Sequence, residues 1–142
     1  MEHLNRFVSS RGILKSCSLH NSNPKSSTPH IDNNILDKFK PNDSIYVCTD
    51  ALAIFATHFL PRIKAPFTLV SGDSDIPIIA DYINNGPLTA IIENPFLIAW
   101  FAQNLKTTHQ KLFNLPIGND YHTMTDIPGL WGLVRETPIS QE

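Results

Sequence analysis

Cysteine is scarce in this sequence, with Cys17 and Cys48 the only two among 142 residues. Two thiols make neither a disulfide framework nor a zinc-ligand pattern, so both are expected to be reduced. Glycine is scarce as well, six residues against 11 prolines, which describes a loop-rich chain punctuated by proline. No apolar run approaches the roughly 18 residues that a membrane span needs. The N-terminal MEHLNRFVSSRGILKSC lacks a continuous hydrophobic stretch before a small-residue cleavage site. The chain therefore reads as soluble and cytoplasmic, with no membrane span. Charge of one sign is also missing: 11 basic and 13 acidic side chains leave a formal charge of −2 and a pI near 6.3. That balance argues against a protein that grips nucleic acid by neutralising phosphates. The motifs GxGxxG, GxxxxGKS/T and GxSxG are absent, so dinucleotide, P-loop and hydrolase-elbow readings have no support.

What is present is enough for one core. The hydrophobic fraction is 42%, and the length suits a single domain. Residues 1–43 form an irregular segment crowded with Ser, Asn, Pro and His, partly packed on the domain that follows. Within it a short strand is expected near Gly12 to Ser16 and a short helix over Asn33 to Phe39, stopped at Pro41. From Ser44 the pattern sharpens. Ser44 to Cys48 reads as a buried strand, Thr49-Asp50 as a helix cap, and Leu52, Phe55, Ala56, Phe59 and Ile63 as one helical stripe. Phe67 to Val70 is a second strand, followed by a helix through Ile78, Ile79, Tyr82 and Ile83. Leu97 to Gln103 is read as a third strand and Lys111 to Pro116 as a fourth. This alternation argues for a mainly parallel sheet with crossover helices in an α/β domain over residues 44–142.

In such a sheet, ligands bind outside the carboxyl ends of the strands. Three polar loops fall there: Thr49-Asp50, the SGDSD run from Ser71 to Asp75, and GNDYHT from Gly118 to Thr123. With the strands as parallel neighbours, Asp73, Asp75, Asp120 and His122 converge on one crevice. Gly72 is read as a tight-turn residue with positive φ. Asp73 and Asp75 alternate, so that one faces the crevice as base, metal ligand or hydroxyl acceptor while the other caps a helix. An ordinary strand-to-helix turn with a capping aspartate accounts for the same residues. His122, two residues after Asp120, suits a general acid or base, against the plainer reading of a surface turn. His58 reads as a surface residue, and His3, His20 and His30 carry no metal spacing. Trp100, Phe101 and Phe113 are expected in the core. Gln103-Asn104, ending an apolar run, are either satisfied by neighbouring loops or turned toward a ligand.

The block WFAQN (Trp100 to Asn104), followed by a Lys111-Leu112 strand into Pro116-Ile117-Gly118, resembles exostosin-like and fucosyltransferase-like glycosyltransferases. The FTLVSGDSD segment resembles the strand and aspartate-containing loop that precede this block in the family, so the resemblance spans residues 44–122. It implies a GT-B architecture of two Rossmann-like halves, of which this chain resembles the N-terminal, acceptor-side half, a three-layer Rossmann-like domain. The implied reaction is direct transfer of a sugar from a nucleotide-sugar to an acceptor hydroxyl, with no required metal and no cofactor. Asp73 or His122 would then take the hydroxyl proton, with Asp120 orienting the histidine or binding sugar hydroxyls. Asn104 and the Gly118 backbone would line the cleft, joined in substrate binding by Asp50, Ser71, Gly72, Asp75 and Tyr121. The implied partners are a carbohydrate or glycan acceptor and a nucleotide-sugar donor reached only through a second domain. Pro138 to Glu142 reads as an opening helix turn, so a truncated chain, inactive alone, is expected.

Two other readings stand beside this one. GDSD followed by GNDYH loosely resembles the GDxxD and GNH elements of metallophosphoesterases, though the internal spacing differs and no upstream DxH is present. A non-catalytic α/β binding module fits the same composition.

Overall fold

Ile45, Tyr46 and Val47 stand in succession, and β-branched and aromatic side chains fit a pleated surface covered on both sides. In the computed structural model, which describes residues 9–118, this run is strand β1 (Ser44–Cys48). Strands β2 (Phe67–Gly72), β3 (Leu97–Ala102) and β4 (Leu112–Asn114) follow. They form a four-stranded sheet in the order β1-β2-β3-β4, with every neighbouring pair parallel. The expected α/β architecture with a parallel sheet is what the chain adopts.

Register sorts the side chains into two faces. Ile45, Leu69, Trp100 and Leu112 are paired across the sheet and point into the larger core. The next row, Tyr46, Val70, Phe101 and Phe113, points to the opposite face. There Tyr46 and Val70 meet Leu14 of helix α1 (Ser10–Ser16), while the Phe101 and Phe113 rings stack at 5.2 Å. The crossovers all cover the first face. A helical run over 49–62 joins β1 to β2, and helices α3 (Ala80–Asn84) and α4 (Thr89–Ile92) lie between β2 and β3. Phe55, Phe59, Ile83 and Ile91 bury their side chains against Trp100 and Leu69 in one cluster. A strand order running in one direction, with crossovers of constant hand, places successive helices on the same side.

The expected stripe Leu52, Phe55, Ala56, Phe59 and Ile63 is buried, and His58 is exposed. The run is not a uniform α-helix. A 3-10 turn (Thr49–Ala51) leads into α2 (Leu52–Ile54), a π turn (Phe55–Phe59) and another 3-10 turn (Leu60–Arg62). In the π turn the Leu60 N–H donates to the Phe55 carbonyl. The extra residue in that loop allows Phe59 and Leu60 to be buried side by side.

Four local expectations are corrected. Gly12 to Ser16 lies within a helix rather than a strand, because Ser9 caps it through a 2.9 Å bond from Gly12 N–H and Leu14 then faces the sheet. Asn33 to Phe39 is a chain of turns closed by i→i−3 bonds, with Ile35 reaching the core. Thr49-Asp50 opens the helical run without a side-chain cap. Asp75 caps nothing: α3 starts only at Ala80, and the Ser74 hydroxyl accepts the Ile76 N–H instead.

Residues 9–43 are woven into the domain. Leu19 pairs with Ile45 along the outer edge of β1, and Ile31 and Ile35 belong to the main core.

Candidate functional site

Because all four strands are parallel, their carboxyl ends share one edge of the sheet. Cys48 is in register with Gly72, Ser71 with Ala102, and Ala102 with Asn114. The loops that leave this edge are tied together by Gln103, which is buried. Its Oε1 accepts the Asp73 N–H at 2.9 Å, and its Nε2 donates to the Pro116 and Ile117 carbonyls at 3.2 and 3.3 Å. One amide thus joins the SGDSD loop to the LPIG segment. Of the two options open for this residue, the structure shows satisfaction by neighbouring loops. Gly72 is explained by the same contact. A Cβ there would fall on the Gln103 side chain, so the glycine serves close approach. The positive φ expected at Gly72 is found one residue later, at Asp73 (58°), a conformation aspartate tolerates better than most residues.

Asp73 is the hub of the edge. Its carboxylate Oδ1 accepts from Ser26 Oγ at 2.8 Å, and Oδ2 lies 3.1 Å from Arg11 Nη1. The Arg11 and Asp73 charges touch, but the guanidinium N–H is not aimed along a hydrogen bond, so both atoms are left without one. The Asp73 carbonyl accepts from Ser27 N–H at 2.9 Å and from Cys48 Sγ at 3.5 Å. This carboxylate is buried and held from two sides, rather than facing an open crevice.

The residues that reach Asp73 from outside the sheet include a compact loop. Its neck is closed where Asn21 Nδ2 donates to the His30 carbonyl, Asp32 N–H donates to Asn21 Oδ1, and Ser22 donates to Asp32 through both N–H and Oγ. These bonds hold the Asp32 carboxyl below its ordinary range, the Ser22 main chain first and the Ser22 hydroxyl second, with His30 adding to them. A surface loop with joined ends and a docked tip is an Ω-loop. None of residues 20–30 is buried.

Beneath the loop, burial pushes groups toward their neutral forms. It raises the Cys17 thiol from 9.0 up to about 11, against a hydrogen bond from Ser44. It raises Cys48 too, opposed by main-chain bonds from Thr28 and Asp50. Tyr46 is raised by burial and then by the Asp73 charge. Such thiols are poor nucleophiles near neutral pH. Native Cys17 is expected to react with iodoacetamide at pH 8 at least about tenfold more slowly than in the urea-unfolded chain, as thiolate depletion requires, and Cys48 more slowly as well. Raised folded-state values also mean that stability is complete below about pH 9 and falls as pH rises toward 11. Urea midpoints measured across that interval should decrease.

The other expected site residues fall into distinct places. Ser71 is fully buried and its Oγ accepts the Trp100 indole N–H at 2.9 Å, so it braces the core and is withdrawn from any substrate. Asn104, at φ 53°, donates to the Ser74 carbonyl at 2.8 Å while its own carbonyl accepts from Ile78. Asp50 is partly exposed after β1, with the Cys48 thiol 3.6 Å away. Asp75 is exposed, as is Gly118, which adopts φ 74°. Asp120, Tyr121 and His122 lie outside the described residues. Arg11, Ser26 and Tyr46 were not anticipated at this edge, and nothing in their local sequence marks them. Among the described residues no three His, Cys, Asp or Glu side chains gather as a metal site. Nor is any described helix long and apolar enough to cross a membrane.

Fold and site together define an α/β protein whose parallel sheet gathers polar loops along one edge. Compared with known proteins, the chain matches no family model, no curated protein and no solved structure.

Proposed function

We propose that the chain is a carbohydrate-binding, acceptor-side domain of a GT-B-like glycosyltransferase. One observation carries this reading: the three segments of the resemblance, FTLVSGDSD, WFAQN and LPIG, occupy the ends of adjacent strands β2, β3 and β4, and Gln103 joins all three. A glycan hydroxyl needs a carboxylate or carbonyl to accept its proton, and Asp75 is the exposed carboxylate of the SGDSD loop. Asp73 lies one layer deeper, engaged by Arg11 and Ser26. That engagement favours binding over proton abstraction by this chain alone. In a complete enzyme the nucleotide-sugar would be held by a second domain.

The test is an NMR titration of the 15N-labelled chain with methyl glycosides and, separately, with nucleotide-sugars. Glycosides should shift amides of residues 72–75, 103–105 and 115–118, and Asp75→Asn should weaken binding about tenfold or more, the scale of one hydrogen bond to a charged group. No response to any glycoside, or a tight response to nucleotide-sugars at other residues, overturns the reading.

A further inference from the structure

Among the described residues, the buried side-chain nitrogen and oxygen atoms without a hydrogen-bond partner are Arg11 Nη1, Tyr46 Oη and Asp73 Oδ2. Tyr46 is 4% exposed, Arg11 8% and Asp73 9%. Buried polar atoms are nearly always satisfied, so each exception calls for an explanation. Two of the three face each other across the Arg11–Asp73 ion pair at 3.1 Å. Tyr46 and Cys48 of β1 line one small cavity together with Asp73, and Arg11 lies against the same carboxylate. A cavity of about 10 Å³ lies between Tyr46, Cys48 and Asp73 below and Asn21, Pro24 and Lys25 of the Ω-loop above.

That volume is about one water molecule, and a water-sized site needs two to four polar partners. Two of the three atoms, Asp73 Oδ2 and Tyr46 Oη, belong to residues that line this cavity, and together they are complementary to a single hydroxyl group. Asp73 Oδ2 accepts its proton and the Tyr46 O–H donates to its oxygen, while Arg11 balances the carboxylate's charge from beside it. We propose that this cluster is a binding site for one hydroxyl group, roofed by the Ω-loop of residues 21–32. The roof makes the site enterable. It contributes no buried residue between 20 and 30, and its tip is held to Asp73 by Ser26 and Ser27. Segments with few buried apolar contacts are the ones that open locally. The hydroxyl can come from water, or from an alcohol such as a sugar that reaches in when the loop lifts. The second source rests on the function proposed above, whereas the site itself does not.

The experiment uses the full chain and Tyr46→Phe. Water-selective NOE spectra should show a long-lived water at Tyr46, and Tyr46→Phe should lower the urea midpoint because the bound hydroxyl loses a donor. If the phenol is merely an orphan, removing it relieves a buried unpaired group and raises the midpoint. Absence of the water NOE, or a midpoint unchanged or raised in Tyr46→Phe, overturns the proposal. Adding methyl glycoside then separates the sources. Replacement of the water NOE by a ligand NOE identifies a sugar hydroxyl. A water NOE that persists leaves the hydroxyl site standing with water as its source, and its bearing is then on the carbohydrate reading alone.

Discussion

Arg11→Met is expected to cost about 3–5 kcal/mol of folding stability, the usual penalty for stranding one half of a buried ion pair. The substitution keeps a long unbranched side chain at a buried position but leaves the Asp73 carboxylate, 5% exposed at its side chain, with the Ser26 hydroxyl bond and no counter-charge. The double variant Arg11→Met/Asp73→Asn should recover most of that loss, since a neutral amide needs no counter-charge. Urea denaturation of the four corners of this cycle measures the coupling directly. A single-variant cost below about 1 kcal/mol would place the pair with exposed salt bridges and remove Asp73 from its position as hub.

Trp100→Ala is expected to cost about 3–5 kcal/mol, in the range of large-to-small changes at fully buried aromatic sites. The indole is 0% exposed and sits in the cross-sheet row Ile45, Leu69, Trp100, Leu112, so the lost volume opens in the middle of the core. Trp100→Phe separates two contributions. It keeps an aromatic ring in the row but leaves Ser71 Oγ without the indole donor. A loss of about 1–2 kcal/mol for the phenylalanine variant, measured in the same denaturation series, is what one buried hydrogen bond and a modest gap predict. Equal stability of Trp100→Phe and the native chain would show that the Ser71 bond contributes nothing.

Legibility followed the range of the interactions. β1 was readable residue for residue because Ile45, Tyr46 and Val47 state their burial locally. The stripe from Leu52 to Ile63 was readable because helical spacing survives a π turn within it, although the turn itself left no mark in the residue types. Near Gly12 the reading failed where a short apolar run has no length to separate strand from helix, and Ser9 decided the outcome as a cap. The two aspartates of SGDSD illustrate a different limit. Their spacing indicated that one would face inward, yet the capping role suggested for Asp75 is absent and the inward residue proved to be Asp73. Arg11 and Ser26, which reach Asp73 from far along the chain, were invisible because an ion pair between distant residues imposes no local pattern. Gln103 was the most informative exception. A polar amide closing an apolar strand signalled that something must satisfy it, and the partners lay in the loops on either side.

The order β1-β2-β3-β4 also bears on how the chain assembles. Each strand joins beside the one made just before it, so the sheet can grow by accretion as synthesis proceeds, with only one crossover to close at each step. The arm carrying Arg11 and Ser26 is made before any strand, yet its docking point, Asp73, does not exist until β2 has turned. The arm can pair with β1 through Leu19 as soon as that strand exists, but its contacts with Asp73 are obliged to wait until the second strand is in place.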